Sequence, residues 1–326
     1  MAQYKVVLTD FSEPDHDLEV EEFRASGLDL ELVRLNARTA DDLFPAVADA
    51  DALLVQWAQI TRPVIARLER CKVISRYGIG VDMVDLEAAA ERGIWVCNVP
   101  DYCIEEVSTH TLTCLLTLNR HLLTHNSHVK SGRWGGVPGG PPGRLSTQTL
   151  GIVGLGHIGR EVARKATALG LSLLGFDPYL SAEKAAALGV ELTSLEALLR
   201  RSDYVSLHCP LNAETRHLIG PAQLGWMKPG AYLLNLSRGA VVDQPALVQA
   251  LASGQIAGAA LDVLEQEPPA ANDPLLQMDN VIITPHLASW SGAALIQLRR
   301  DTARNVVEAL QGQQPRSIVN RKSLGL

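Results

Sequence analysis

A glycine-rich run at residues 154–159 constrains the fold of this chain more than any other feature. Gly154 ends an apolar segment, 149–154, and Gly156 and Gly159 lie between it and a segment of helical character, 160–169. This order and spacing are typical of dinucleotide sites. The first glycine permits a tight turn, the second lets the backbone approach a pyrophosphate, and the third allows close helix–strand packing. The helix N-terminus would offer N–H groups to the phosphates.

An acidic residue predicts which dinucleotide is bound. Asp177 ends the next predicted strand, 172–177, at about the 20-residue distance from the glycines that the motif requires. A carboxylate in this place accepts hydrogen bonds from ribose hydroxyls and repels a 2′-phosphate. The sequence therefore predicts NAD as the cofactor in preference to NADP.

Strand-like and helix-like segments alternate along two stretches, roughly 1–100 and 148–290, which is typical of α/β folds with parallel sheets. Apolar runs such as 231–236 suit strands that are buried on both faces. We expect strands at 4–9, 29–34, 51–55, 72–74 and 94–96, and then at 149–154, 172–177, 203–208, 231–236, 256–262 and 280–283. We expect helices at 103–123, 124–131 and 291–311, and a loop over the glycine- and proline-rich residues 132–143.

Charge and cysteine content argue against several classes of protein. The formal net charge is −7, whereas a nucleic-acid surface needs clustered lysine and arginine. No apolar stretch reaches the roughly 18 residues that span a bilayer, and we expect no secretory signal before the first strand. The five cysteines are an odd number without a CxxC pair, which indicates reduced thiols and a cytoplasmic protein. No metal-ligand spacing occurs.

Three polar side chains follow successive predicted strands of the second stretch. Arg238 follows 231–236, Glu267 follows 256–262, and His286 follows 280–283. Because the carboxyl ends of parallel strands face the ligand crevice, we expect all three to line one cleft. Taken singly, Arg238 could lie on a solvated turn, Glu267 in an ordinary Glu-Pro loop, and His286 could be a structural histidine. The ordered set favours a catalytic site.

Hydride transfer to a ketone requires these residue types. Charge builds on the ketone oxygen during the reaction, and histidine is well suited to donate a proton near neutral pH. A neighbouring carboxylate stabilises the imidazolium and orients the ring. An arginine can hold a substrate carboxylate or carbonyl in its planar fork.

A series of short motifs occurs in the order and spacing of a known family. The motifs are Arg76-Tyr-Gly-Ile-Gly-Val-Asp82, Val99-Pro100, the GLGHIG run, Asp177-Pro178, His208-Cys-Pro-Leu211, Ser237-Arg-Gly239, Ala260-Leu-Asp262, Glu267-Pro268 and Thr284-Pro-His286. With these motifs the chain resembles the D-isomer-specific 2-hydroxyacid dehydrogenases from end to end.

The resemblance implies two α/β domains with parallel sheets, Rossmann-like and flavodoxin-like, and an active site in the cleft between them. The substrate domain would comprise 1–100 and 293–326, and the NAD-binding domain 101–292. The implied reaction is reversible hydride transfer between NADH and a small 2-keto acid, giving a D-2-hydroxy acid. Family members are usually dimers paired through the NAD-binding domain.

The resemblance also implies a role for each matching residue. His286 would be the general acid/base, paired with Glu267, while Asp262 would bind the nicotinamide carboxamide. The implied substrate contacts are Arg76, Tyr77, Gly78, Ile79, Arg238 and His286. The implied cofactor contacts are Gly154, Gly156, His157, Ile158, Gly159, Asp177, His208, Cys209, Pro210, Thr215, Leu236, Ser237, Arg238, Asp262 and His286.

Within the family, the motifs look most like the C-terminal-binding-protein branch and its bacterial relatives. That branch leaves open a different class of function, an NAD(H)-sensing binding protein akin to a corepressor, with little turnover. A phosphoglycerate or glycerate dehydrogenase is a further alternative. It is disfavoured because few extra cations stand near the predicted pocket and no effector domain is expected after the final helix. The physiological acid and the roles of Trp290 and His157 stay open.

Several other polar residues are expected to be structural. His110, His121, His125 and His128 lie on or near the long predicted helices, where surface or interface positions are the simplest interpretation. Asp82 is expected to cap the helix that follows it.

Overall fold

The computed structural model describes residues 3–37, 39–136 and 140–326. The chain forms two compact units, one of Met1–Tyr102 with Ser291–Leu326 and one of Cys103–Trp290. The predicted loop 132–143 includes residues 137–139, which lie outside the described residues.

Twelve helices are assigned within those described ranges. In chain order they are α1 (Asp17–Ala25), α2 (Ala40–Val47), α3 (Arg62–Ala66), α4 (Leu86–Glu91), α5 (Ile104–Asn119), α6 (Leu122–Lys130), α7 (His157–Ala168), α8 (Ala182–Ala186), α9 (Leu195–Arg201), α10 (Pro221–Trp226), α11 (Gln244–Ala252) and α12 (Gly292–Leu310). Short 3-10 turns occur at Leu145–Thr147, Gly239–Val241 and Pro274–Gln277.

The first unit is built on a five-stranded parallel sheet. Its strands are β1 (Tyr4–Leu8), β2 (Leu30–Arg34), β3 (Ala52–Val55), β4 (Val73–Arg76) and β5 (Trp95–Cys97), in the order β2-β1-β3-β4-β5. This is the flavodoxin-like order. Every residue of β3 and β4 is buried, because helices cover both faces of the sheet.

The C-terminal helix belongs to this first unit. On α12, Leu298 and Val306 pack with Phe23 of α1 in the apolar cluster on one face of the sheet. Arg299 of α12 forms a buried ion pair with Glu19 of α1, with Nη2 at 2.7 Å from Oε2. The helix therefore completes the sheet built from the N-terminal residues.

The second unit is built on a seven-stranded parallel sheet. Its strands are β6 (Thr149–Val153), β7 (Ser172–Phe176), β8 (Glu191–Leu192), β9 (Tyr204–Leu207), β10 (Tyr232–Asn235), β11 (Gly258–Leu261) and β12 (Val281–Ile283). The order β12-β11-β10-β9-β6-β7-β8 is that of a Rossmann fold with one added strand. The chain runs outward from β6 in both directions, so the switch point lies between β6 and β9, where ligands bind in such sheets.

The predicted fold class is confirmed, and each of the eleven predicted strands is present with its ends within two residues. The two-residue strand β8 was not predicted. The helix predicted over 103–123 ends at Asn119, and α6 begins at Leu122. His121 interrupts them in the left-handed region at φ 49°, so the two predicted helix boundaries were wrong.

Two further local predictions need correction. The helix predicted over 160–169 begins at His157, three residues earlier. Helix α4 is capped by Asp85, whose side chain accepts a hydrogen bond from the Ala88 amide at 2.8 Å, so the capping role expected for Asp82 was wrong.

Across residues 3–37, 39–136 and 140–326, no helix is both long enough and apolar enough to cross a membrane. No group of three or more His, Cys, Asp or Glu side chains in those ranges is arranged to hold a metal ion.

Candidate active site

The glycine-rich loop lies at the switch point of the second sheet, and its three glycines meet different surroundings. Gly154 has φ +91°, and a Cβ on it would lie 2.7 Å from the Cys209 amide nitrogen. A Cβ on Gly159 would lie 2.1 Å from the carbonyl oxygen of Gly154. A Cβ on Gly156 would meet no atom within 4 Å. The fold itself therefore requires Gly154 and Gly159, whereas Gly156 leaves open space above the loop for a ligand.

Helix α7 begins directly at this open position. Gly156 is its N-cap residue, and His157 and Ile158 form the start of its first turn. The first amides of a helix lack acceptors within the helix and carry a partial positive charge. A dinucleotide pyrophosphate fits this combination of open space and helix N-terminus.

Asp177 lies directly after β7 and braces the same loop. Its Oδ2 accepts a hydrogen bond from the Leu155 amide at 2.8 Å, and Oδ1 accepts one from the Tyr179 amide at 2.9 Å. The side chain is only half-buried. The carboxylate thus stands beside the glycine loop, at the place where the motif puts a ribose ligand.

The segment after β9 forms the other side of the switch point. Burial lowers the pKa of His208 to about 4, and its Nε2 lies 2.8 Å from Oγ of Ser206. Burial raises the pKa of the Cys209 thiol to about 11. Thr215 donates a hydrogen bond from Oγ1 to the Pro210 carbonyl at 2.6 Å and closes the turn that follows. Both titratable side chains are therefore neutral near pH 7.

Arg238 lies on a tight turn after β10 that a buried asparagine shapes. Asn235 donates from Nδ2 to the Arg238 carbonyl at 2.9 Å, and its Oδ1 accepts from the Ser237 amide at 3.1 Å. Gly239 comes next, and a Cβ on it would lie 2.0 Å from the Leu264 carbonyl oxygen. The turn that carries Arg238 can therefore press against the loop after β11, which carries Glu267.

Glu267 and His286 are in direct contact. The ring Nδ1 lies 2.7 Å from Oε2, and because a carboxylate only accepts, Nδ1 is the donor. The other carboxylate oxygen accepts from the Leu264 amide at 2.9 Å. Burial alone would raise the pKa of Glu267, but the His286 hydrogen bond, the His286 and Arg238 charges and the Leu264 amide hold it below its ordinary value. The structure thus brings the carboxylate and the imidazole together, within the electrostatic reach of Arg238.

His286 itself lies on a turn that Asp262 holds. The His286 backbone has φ 55°, in the left-handed region. Asp262 is buried, and its carboxylate accepts from the Leu287 amide, the Ala288 amide and the Thr284 hydroxyl at 2.9, 2.9 and 2.6 Å. The resemblance implies that Asp262 binds the nicotinamide. In the structure the same carboxylate also holds the turn that carries His286.

The predicted substrate residues 76–79 lie in the first unit, after β4. The Tyr77 side chain is buried and stacks on Phe11, and the Tyr77 amide donates to the Val55 carbonyl at 2.8 Å. Gly78 has φ +137°, and the Arg76 side chain occupies the place where a Cβ would stand. Asn98 donates from Nδ2 to the Ile79 carbonyl at 2.7 Å. This loop is therefore held in shape by contacts of its own unit.

The family model of the D-isomer specific 2-hydroxyacid dehydrogenase NAD binding domain matches residues 112–288. The glyoxylate reductase of Korarchaeum cryptofilum is 39% identical over 284 residues, covering 85% of this chain and 84% of that protein.

The chain belongs to the D-isomer-specific 2-hydroxyacid dehydrogenase family.

Other members of this family are similar over most of the chain. The D-3-phosphoglycerate dehydrogenase of Methanocaldococcus jannaschii is 38% identical over 293 residues, which is 88% of this chain. The chain spans only 55% of that relative and 59% of the D-3-phosphoglycerate dehydrogenase of Archaeoglobus fulgidus.

Solved structures of family members share both α/β units. A glyoxylate reductase from Paecilomyes thermophila superposes with a TM-score of 0.88 at 27% identity, covering 99% of this chain and 100% of that one. A D-lactate dehydrogenase from Aquifex aeolicus, complexed with NAD and lactic acid, gives 0.85 at 31% identity, covering 94% and 96%. Residues 112–288 are thus the NAD-binding domain that this family shares.

Three residues of the site were given no role in the sequence analysis, although Thr284 lies within the Thr284-Pro-His286 motif. Asn235 orders the Arg238 turn, Thr284 bonds to Asp262, and His110 lies with Nε2 3.2 Å from the Thr284 hydroxyl. A polar residue at the end of an apolar strand was a usable signal for Asn235. No local signal marks His110, which had been expected at the surface or an interface and is half-buried.

Proposed function

We propose that this chain is an NAD-dependent dehydrogenase that interconverts a small 2-keto acid and the corresponding D-2-hydroxy acid. The observation that carries the proposal is the Glu267–His286 pair, 2.7 Å apart, near Arg238 and within the unit that contains the family's NAD-binding domain. A histidine oriented by a carboxylate is a general acid/base, and an arginine beside it suits an acidic substrate.

In the direction of reduction, His286 donates a proton from Nε2, the ring nitrogen opposite Glu267, to the carbonyl oxygen of the keto acid. Glu267 holds the ring by Nδ1 and stabilises the imidazolium form before the proton leaves. Arg238 holds the substrate by two parallel hydrogen bonds, which orients the carbonyl for attack on one face. When NADH is bound, it supplies the hydride.

We assign the NAD site to the loop at the switch point. The amides of His157, Ile158 and Gly159 would bind the pyrophosphate above Gly156, and Asp177 would accept from the adenosine ribose. The nearby segment 208–215 would border the adenosine, and the neutral state of His208 and Cys209 suits that apolar neighbour. Leu236, Ser237 and Asp262 would contact the nicotinamide end.

We assign the first unit, with the backbone of residues 77–79, to binding of the substrate carboxylate. This assignment follows from the family resemblance and is supported by the fixed geometry of the loop, whose Gly78 and Ile79 carbonyls are both hydrogen-bonded within the unit. Arg76 belongs to the same assignment through the resemblance, and its side chain is buried.

A homodimer and a cytoplasmic location complete the proposal. On and after α6, Leu122, Leu123 and Val129 are exposed, and Trp134 is 90% exposed. Exposed apolar side chains so close together in the sequence of the NAD-binding unit favour pairing of two copies there. Sedimentation would check the dimer, and changing Leu123→Glu should dissociate it. The cytoplasmic location rests on the odd number of cysteines, and cell fractionation would test it.

The decisive experiment uses His286→Asn. Asparagine tolerates the left-handed backbone that His286 adopts but cannot act as a proton donor near pH 7. The unmodified protein is screened with NADH and NADPH against glyoxylate and pyruvate, and with NAD against D-lactate and D-3-phosphoglycerate. We expect turnover with at least one small acid and a loss of about 10³-fold or more in kcat for the variant, with NADH binding retained.

Two results would contradict the proposal. Undiminished turnover by His286→Asn would remove the histidine from the reaction. Absence of turnover on the whole panel, together with NADH-dependent recruitment of a protein partner, would favour the binding protein akin to a corepressor. Selective use of D-3-phosphoglycerate would instead keep the reaction class and change the substrate.

A further inference from the structure

The turn that carries His286 adopts a conformation that the chain does not favour by itself. The His286 backbone has φ 55°, a conformation of higher energy for a residue with a side chain, because Cβ approaches the carbonyl oxygen. Such a conformation persists where surrounding contacts hold it, and it is frequent at functional sites. The residues that hold this turn therefore set the position of the imidazole.

Asp262 makes most of those contacts. Its main-chain carbonyl accepts from the His286 amide at 2.9 Å, and its carboxylate accepts from the next two amides, of Leu287 and Ala288. Three consecutive amides of the turn thus donate hydrogen bonds to one buried residue, Asp262. The carboxylate must keep its orientation for these bonds to form.

The Thr284 hydroxyl fixes that orientation, and a histidine on α5 fixes the hydroxyl. Thr284 donates its single hydroxyl proton to Oδ1 of Asp262 at 2.6 Å, because a carboxylate only accepts. The hydroxyl oxygen must then be the acceptor in its 3.2 Å contact with Nε2 of His110. His110 therefore carries a proton on Nε2, and the hydrogen bonds run in one direction from His110 through Thr284 to Asp262.

We propose that His110 and Thr284 are positioning residues for His286, acting through the Asp262 carboxylate. The inference rests on the proposed function and deepens it, since it names what keeps the acid/base residue in place. Neither side chain needs to touch the substrate. His110 lies on α5, a sixteen-residue helix that packs along the NAD-binding unit, so the chain of bonds anchors the turn to a rigid element.

The test compares matched pairs of variants. His110→Ala removes the donor, whereas His110→Gln keeps an N–H near the position of Nε2. Thr284→Val removes the hydroxyl at constant shape, whereas Thr284→Ser keeps it. Thr113→Val removes an exposed hydroxyl of the same helix, which donates to the Thr109 carbonyl at 2.9 Å, and is the control.

We expect His110→Ala and Thr284→Val each to lower kcat about tenfold. The Kd of NADH should rise by no more than about threefold, because Asp262 is one proposed contact among several and the pyrophosphate and ribose contacts at the glycine loop are unchanged. The Gln and Ser variants should recover most of the loss. Because both residues act through one chain of bonds, the double variant should lose little more than the worse single variant. A purely structural role would instead change stability and NADH binding together and would not be rescued by Gln.

Amide hydrogen exchange gives a readout that does not depend on turnover. His110→Ala should speed the exchange of the Leu287 and Ala288 amides about tenfold or more relative to Thr113→Val. Two results would overturn the inference. One is unchanged amide exchange and kcat in His110→Ala, and the other is a kcat in His110→Gln as low as that in His110→Ala. If the unmodified protein turns over no acid, the proposed function fails, and the exchange result alone then supports or overturns the positioning role.

Discussion

The replacement Glu267→Gln tests the candidate site most sharply, because both carboxylate oxygens of Glu267 are engaged. One accepts from the Leu264 amide at 2.9 Å and the other from Nδ1 of His286 at 2.7 Å. A carboxamide has the same shape but a single acceptor oxygen. In the variant, either His286 loses its acceptor or the Leu264 amide faces an NH₂ group, and the negative charge is lost in both cases.

The size of the effect follows from the type of bond. A hydrogen bond to a charged group contributes about 1.5–3 kcal/mol. The two side chains are 34% and 24% exposed, so solvent screening places this pair toward the lower end of that range. About 1.4 kcal/mol is a factor of ten. We therefore expect Glu267→Gln to lower kcat/KM by roughly tenfold to thirtyfold at neutral pH.

The pH dependence of stability gives a second signature. The pKa of Glu267 lies below its ordinary value, with the opposing effect of burial outweighed by His286, Leu264 and Arg238. A depressed carboxyl pKa stabilises the fold above the pKa of the unfolded chain, and this contribution is lost as pH falls through the folded value. The stability difference between the unmodified protein and Glu267→Gln should therefore shrink below about pH 4.3.

A matched control lies on the same loop. Glu265 contacts Nε2 of His217, so it is a second glutamate–histidine pair two residues away. Glu265→Gln should leave kcat/KM nearly unchanged in the keto-acid assay with NADH. Equal losses in the two variants, or more than half of the unmodified kcat/KM in Glu267→Gln, would refute the assignment of the Glu267–His286 pair.

Three other substitutions test the cofactor loop and the first unit. Gly159→Ala puts a Cβ 2.1 Å from the Gly154 carbonyl oxygen and should raise the Kd of NADH about tenfold in a fluorescence titration. Asp177→Ala removes a like charge from the 2′-phosphate position and should shift the kcat/KM ratio of NADPH to NADH roughly tenfold toward NADPH. Glu19→Ala leaves Arg299 buried without its main partner and should cost about 3–5 kcal/mol in urea unfolding, with NADH binding retained.

The strands were predictable because parallel sheets covered on both faces need continuous apolar runs. Leu233 and Leu234 of β10 are fully buried, and both lie in the apolar run 231–236 that is visible in the sequence. The two-residue strand β8, at the sheet edge, is too short to give a periodic signal. His121 could not be predicted as a helix break, because it adopts the left-handed conformation without a glycine or proline to mark the position.

The start of α7 shows how a local rule gave the wrong boundary. Gly159 is a poor residue for a helix interior, which favours a start after it. In the structure it lies inside the first turn, because only a residue without Cβ can approach the Gly154 carbonyl so closely. Tertiary contact therefore outweighs propensity at this position, and it moves the helix N-terminus to the open space above Gly156.

The candidate catalytic residues were predictable from strand ends, whereas their supports were not. Arg238, Glu267 and His286 follow three strands of one sheet, and the topology alone brings such positions to one edge. His110 is 174 residues from Thr284 in sequence, so no spacing rule relates them. Contacts between distant segments have to be seen in the structure.

The two turns that carry Arg238 and His286 are built in the same way. Each turn follows a strand, and its backbone is hydrogen-bonded to one buried polar side chain. That side chain is Asn235 for the Arg238 turn and Asp262 for the His286 turn. Asn235 ends β10 and Asp262 directly follows the neighbouring strand β11, and the Asp262 amide donates to the Asn235 carbonyl at 3.0 Å. Because one sheet ladder joins both supports, the distance between the arginine and the histidine is set by the core of the unit.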